Sequence, residues 1–278
     1  MAPEGATHLL ALSCLVAAVA LAGCAGLVGS DSPSVVEGTV TPAPVPTNGD
    51  PLPPGVTESG VSVVGLTETH AVRLRATNYT YVSRQRVVGD DEVLRRTNRT
   101  RRVATGGRQY AGRFDRTVLA FPVATIPGTM DYWTNGSVYA TQRFIDGEPE
   151  FYGWSRTGQP TEDVDGSAFL ARVLRAVETS VVYRESGVML AGSELRDPDA
   201  LPNPPYMTTP QNVSLTASVT ADGVVTRWRL AYDTTVENQS VRVVRITRIS
   251  DVGRTVVDRP PWIDTAREWQ RERFLHDD

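Results

Sequence analysis

This chain contains no lysine; all 28 of its Lys-or-Arg positions are arginine. Arginine is weakly hydrated and presents a planar fork to anions, and a GC-rich coding bias or a salt-adapted source also fits the pattern. Cysteine is almost absent: only Cys14 and Cys24 occur, both near the amino terminus. Beyond Cys24 there is no thiol, which excludes a disulfide framework, a cysteine metal site and a cysteine nucleophile. Histidine is limited to His8, His70 and His276. The first lies in the leader and the last in the tail, and His70 alone cannot build a zinc site. A single histidine on a short helix reads as surface or packing. Gly-x-Ser-x-Gly, Walker A and Gly-x-Gly-x-x-Gly patterns are missing. The carboxylate pairs Asp90-Asp91 and Glu162-Asp163 fall in turn-like stretches, whereas a glycosidase needs two acids facing a cleft. Net charge is −4, which gives no reason to expect a nucleic-acid partner. The inventory argues against an enzyme and against any cofactor or metal.

What is present begins with an apolar run from Leu9 to Ala22, closed by Leu21-Ala22-Gly23-Cys24. The run is shorter than the roughly 20 residues of a spanning helix, which favours a cleaved signal. A secretory leader normally opens with positive charge, and Met1 to His8 offers only His8 beside Glu4. That points to a start further upstream or an atypical export route. The small residues before Cys24 resemble a lipobox. The resemblance implies that residues 1–23 are a signal peptide, and that Cys24 becomes the lipidated first residue of the mature protein. The expected location is the extracytoplasmic face of the cell membrane, held by the lipid on Cys24.

Residues 24–54 are rich in Pro, Thr and Ser, with few large apolar side chains. Such a stretch cannot bury enough surface to offset chain entropy. It reads as a tether that holds a domain several tens of Å from the bilayer. Residues 55–262 carry the domain, and 263–278 a charged helix or tail with Trp262, Ala266 and Trp269 on one side. Within the domain, Leu66–Asn78 predicts a short helix with Thr67 as cap, and Ala168–Thr179 a second through Phe169, Val173, Leu174 and Val177, capped by Asp165 or Ser167. Elsewhere the period is two. Turn signals at Asp90-Asp91, Gly106-Gly107, Asn135-Gly136, Asp146-Gly147, Ser186-Gly187 and Asp222-Gly223 separate the strands of a hairpin series. The arginines of Arg95–Arg102 read as the wet face of a strand. In the last strand the pattern slips between Val243 and Val244, which predicts a bulge. The expected class is α+β: a large curved antiparallel β-sheet, half-barrel-like, with two or three helices on one face.

This layout carries a family resemblance. The lipobox, the tether, Asn78-Tyr79-Thr80-Tyr81, Asp251-Val252-Gly253-Arg254-Thr255-Val256 and Arg259-Pro260-Pro261-Trp262 resemble an uncharacterised haloarchaeal lipoprotein family, over about Gly55 to Trp262. The layout is also similar to the LolA/LppX-type lipoprotein fold, in which a curved sheet wraps round helices and its members hold lipid in the hollow. Fold does not fix function. The resemblance implies a membrane-anchored lipoprotein that binds a lipid or other apolar ligand in the concave side. Burial of acyl surface there would yield roughly 25 cal/mol per Å².

The candidate ligand-contacting residues are the aromatics Trp133, Tyr139, Trp154, Trp228 and Tyr232, which serve equally as ordinary core. If they are core, the chain is a structural or partner-binding envelope module with no ligand. Five Asn-x-Ser/Thr sequons, at Asn78, Asn98, Asn135, Asn212 and Asn238, are candidate glycosylation sites. Asn135 and Asn238 sit in turns and are favoured.

Overall fold

The structure is a computed structural model that describes residues 51–156, 163–184 and 187–276. His8, Cys14, Cys24, the signal peptide, the tether up to Asp50, Glu162 and Ser186 lie outside the described residues. Leu52 already packs on the core and Pro53 is buried.

A small hairpin, β1 (Val56–Thr57) and β2 (Gly60–Val61), leads into α1 (Val63–Arg75). The helix cap is Ser62, not Thr67. The backbone of Ser62 is extended, and its hydroxyl accepts the Gly65 N–H at 3.3 Å. Thr67 lies a turn inside, where its hydroxyl donates to the Val63 carbonyl at 2.8 Å. Arg73 and Arg75 occupy the last turn, where cations meet the negative end of the helix dipole.

A meander follows: β3 (Tyr79–Gly89), β4 (Glu92–Val103), β5 (Tyr110–Val118), β6 (Gly128–Thr134), β7 (Tyr139–Ile145) and β8 (Glu148–Ser155). Next come α2 (Ser167–Ala176), then β9 (Val177–Arg184), β10 (Gly187–Leu195), β11 (Gln211–Val219), β12 (Val225–Val236) and β13 (Gln239–Ser250). The strands form one curved, open antiparallel sheet of order β8-β7-β6-β5-β4-β3-β13-β12-β11-β10-β9. Two meanders therefore meet where β3 pairs with β13, and the chain passes through α2 from one sheet edge to the other. The tight links Asp90-Asp91, Asp146-Gly147 and Glu237-Asn238 all have positive φ, as a two-residue turn between twisted strands requires. Gly106-Gly107 and Asn135-Gly136 instead belong to longer loops, 104–109 and 135–138.

Helices α1 and α2 pack on each other over one face of the sheet. That face is lined by odd positions of β3 and even positions of β12. Tyr79, Trp228, Leu66, Leu74, Leu170 and Leu174 are among its buried side chains. The helix predicted through Thr179 stops at Ala176. Val177, fully buried, opens β9 instead, because the segment Val177–Val182, with β-branched Val177, Thr179, Val181 and Val182, pairs with β10. The last helix, α3 (Ile263–His276), takes the opposite face. Ile263 and Ala266 close on Ala111, Trp133 and Ala140 there.

Two further sequence expectations are corrected. The predicted bulge in β13 is absent: its pairing with β12 and with β3 runs unbroken. Val241, Val243, Arg245, Thr247 and Ile249 share one face. An arginine at the inner position made a regular alternation look shifted. Likewise the arginines of β4 are not all on the wet face. Arg96 and Arg102 are exposed, but Arg95 and Arg101 are buried and Arg99 half-buried. The real irregularity lies here, where register shifts between Val87 and Val88 and Leu94 is the extra residue.

Candidate functional site

The inward row of β4 reads Arg95, Thr97, Arg99, Arg101, Val103, and its neighbours decide what each arginine does. Arg101 is fully buried. It donates to the carbonyls of Asp163 at 3.0 Å and Val164 at 2.7 Å. Its guanidinium also lies 5.5 Å from the rings of Tyr81 and Tyr110 and 6.0 Å from Tyr132. Gly112 leaves room for this cage, since a side chain there would collide with the Tyr132 ring and the Thr100 carbonyl. Arg101 thereby holds the segment that starts α2. The Asp163 carboxylate accepts the Ala168 and Phe169 N–H groups, and Asp165 accepts that of Ser167. The cap residue itself is Gly166, at positive φ, so Asp165 acts on the helix from one position further out and Ser167 is inside it.

Further along the same face the sheet is not filled. A cavity of about 320 Å³ opens between β3–β5, β12–β13, Phe169 of α2 and the proline loop after β10. That is the small end of the range of about 300–1,000 Å³ for small-molecule sites. Phe114, Leu230 and Val243 supply apolar wall; Pro202 and Pro204 form the rim. Four arginines line it: Arg95, Arg99, Arg116 and Arg245. Each lies over a phenylalanine. Arg245 is 3.7 Å from the centre of Phe169 and Arg95 is 4.4 Å from Phe121. Arg116 and Arg99 share Phe114 at 5.1 and 5.6 Å. Stacking uses the flat face of a guanidinium and leaves its in-plane N–H donors available.

The donors are only partly used. Arg95 Nη1 donates to the Tyr206 hydroxyl at 2.9 Å, and Arg245 Nε to Ser83 Oγ at 3.0 Å. The buried Nε atoms of Arg95 and Arg116 have no hydrogen-bond partner. Among the described residues, none of the four forms an ion pair with a carboxylate. Burial, then the charges of Arg95 and Arg99, press the Arg116 guanidinium below its ordinary value, while Tyr206 opposes the shift. Burial pushes the Tyr232 hydroxyl up to about 12, against the pull of Arg95 and Arg245. Tyr232 is therefore a neutral donor at neutral pH, bound to Asn203 Oδ1 at 3.2 Å.

The five candidate aromatics are not brought together. Tyr232 lines the cavity. Trp228 is fully buried beneath α1, edge-on to His70 at 6.2 Å and Tyr81 at 6.4 Å. Tyr139 stacks on Tyr132 at 6.4 Å. Trp133 and Trp154 belong to the cluster under α3, on the other face. The arginines escaped the sequence reading. The signal was parity: Val103 and Tyr110 face inward, so counting back by twos from Val103 puts Arg101, Arg99 and Arg95 inside.

His70 is fully buried, and both ring nitrogens are engaged. Nδ1 accepts the Val225 N–H at 3.1 Å, and Nε2–H donates to the Asp165 carbonyl at 3.2 Å. Burial lowers its pKa from the ordinary 6.5. Neither nitrogen is available to a substrate. Among the described residues no group of three His, Cys, Asp or Glu gathers to hold a metal. No described helix is long and apolar enough to cross a membrane.

No family model matches this chain, and no curated protein does. Several solved structures share a likeness, among them the following two. One is a LolA superfamily protein from Nitrosomonas europaea, 10% identical over 73% of this chain and 97% of that one, with TM-score 0.26. The other is a DUF1329 family protein from Desulfovibrio piger, 9% identical over 72% of this chain and 95% of that one, with TM-score 0.27. Likenesses of that strength say nothing about ligand or role.

The sequons differ in what their side chains already do. Asn135 is exposed, and its Oδ1 accepts the N–H groups of Ser137 and Val138, which leaves the amide nitrogen outward. Asn238 is exposed at a hairpin tip. Asn98 is exposed in mid-strand on β4. Asn212 Nδ2 donates to Asp233 at 2.9 Å, and Asn78 Oδ1 is tied to the Thr255 N–H at 2.8 Å.

Proposed function

We propose that this chain is a lipid-anchored, extracytoplasmic protein of the LolA/LppX kind, akin to the haloarchaeal lipoproteins it resembles, which binds a small amphipathic ligand on the helix-covered side of its sheet. It is a binding protein, not an enzyme, and needs no cofactor. The observation that carries the reading is the unfilled cavity under Phe169, on a face that is elsewhere packed. The apolar part of a ligand would lie against Phe114, Leu230 and Val243, by non-covalent burial. Lipid on Cys24 would keep the site beside its membrane, and sugar would sit at Asn135 and Asn238.

The test is native mass spectrometry with solvent extraction of the full chain, purified from its own membranes. The expected result is a bound small molecule in near-equal amount, and a mature amino terminus at Cys24 bearing lipid. A ligand-free protein that retains residues 1–23 would overturn the proposal. The competing reading, a ligand-free structural or partner-binding envelope module, draws on the filled core around Trp228. It predicts that same empty spectrum, but with Cys24 lipidated.

A further inference from the structure

The cavity under Phe169 is lined by four arginines. A pocket meant for an acyl chain alone has no use for four guanidiniums. Here Arg245 of β13 and Arg116 of β5 end one cross-strand row through Gln85 and Thr97, and Arg95 and Arg99 stand two positions to either side of Thr97 on β4. Their faces are fixed by phenylalanines, and no carboxylate among the described residues neutralises them. Burying like charges together costs free energy unless a counter-charge arrives. Nor is the cost diluted by solvent at every member, since Arg95 is only 7% exposed. Its Nε and that of Arg116 are buried donors without acceptors. Such a set is complementary to something negative, rich in acceptors and not part of the described chain.

We propose that this pocket binds a phosphate group, the polar end of the amphipathic ligand inferred above. The identification rests on charge and on shape. A carboxylate brings one negative charge, whereas a phosphate monoester carries about 1.5 to 2 at pH 7 and three acceptor oxygens. Guanidinium forks approaching from several strands suit a tetrahedral group better than a planar one. The Tyr232 hydroxyl, uncharged at neutral pH, adds no repulsion. The apolar wall of Phe114, Leu230 and Val243 lies beside the arginines, so a chain attached to the phosphate would find it. This deepens the ligand-binding proposal, and its phosphate component stands or falls separately.

Isothermal titration of the full chain in mild detergent tests it with three probes: a short-chain phosphatidic acid, the diacylglycerol of the same chain length, and inorganic phosphate. Phosphatidic acid should bind best and diacylglycerol at least tenfold more weakly. Inorganic phosphate should compete. Arg99→Gln and Arg116→Gln should each weaken phosphatidic acid about tenfold or more, and Arg99→Lys less, because charge remains while the fork is lost. Without ligand, both Gln variants should melt at or above the parent temperature, because each relieves repulsion. An arginine that merely holds the fold would show the reverse.

Equal binding of phosphatidic acid and diacylglycerol, untouched by the variants, overturns the phosphate site and leaves the amphipathic ligand standing. Binding of inorganic phosphate that depends on the arginines, without preference for the lipid, keeps the phosphate site and overturns the amphipathic ligand. Failure of all three probes, or Gln variants that bind as the parent does, overturns the proposal.

Discussion

Arg101 and Arg99 stand two residues apart on the same strand and the same face, yet they meet opposite surroundings. Arg101 is enclosed by three tyrosine rings and two backbone carbonyls. Arg99 faces an open cavity that it shares with three other arginines. Near α2 the molecule supplies its own acceptors; beyond Phe169 it supplies them only in part. The contrast teaches that an inward arginine has no single meaning. Its value depends on whether the fold completes its hydrogen bonds.

The comparison can be attacked from both sides. The largest effect should come from the filled region: Trp228→Ala is expected to cost about 3–5 kcal/mol in urea denaturation. Phe169→Ala, on the half-buried cavity wall, should cost only about 1 kcal/mol. Equal losses would mean that the two regions are packed alike.

The next test is Arg101→Met, which leaves the carbonyls of Asp163 and Val164 without their donor. It should cost about 2–3 kcal/mol, whereas Arg99→Gln should change stability by less than about 0.5 kcal/mol. A reversal of that order would remove the distinction between the arginines.

His70 sharpens the picture of the filled region through pH. Its folded-state pKa is depressed by burial, so the unfolded chain binds the extra proton first. Stability should therefore fall with a one-proton slope as pH drops below 6.5, until the folded pKa is reached. In His70→Gln that slope should vanish from melts recorded between pH 5 and 7.5, and a slope that survives belongs to another group. The smallest effect is that of the cap. Ser62→Ala should cost about 0.5–1 kcal/mol, a loss visible as a small shift in the thermal midpoint.

Much of the sheet was legible because the period-two pattern survives burial on one face. Trp228, Leu230 and Tyr232 announced the inner face of β12, and Asp146-Gly147 the turn between β7 and β8 by the positive φ it demands. The first two helices were found with displaced ends. Ser62 caps α1 because the small hairpin β1–β2 delivers an extended backbone there, and no short-range pattern revealed that hairpin. The candidate site was less legible. Large aromatics drew attention, but the register sent Trp133 and Trp154 under α3 and Trp228 under α1. The cavity went instead to arginines, whose charge favoured a wet-face reading.

The amino-acid order alone determined the alternation of strands and turns, the pair of helices that cover one face, and the chemistry excluded by a single internal histidine and no thiol beyond Cys24. These are local properties: propensity, periodicity and inventory act within a few residues. Only the tertiary structure decided which arginines face inward and which of those find acceptors. The reason is that β4 meets β13 through β3, while α2 arrives from the far edge of the sheet. Contacts between residues so distant along the chain exist only once every register is set.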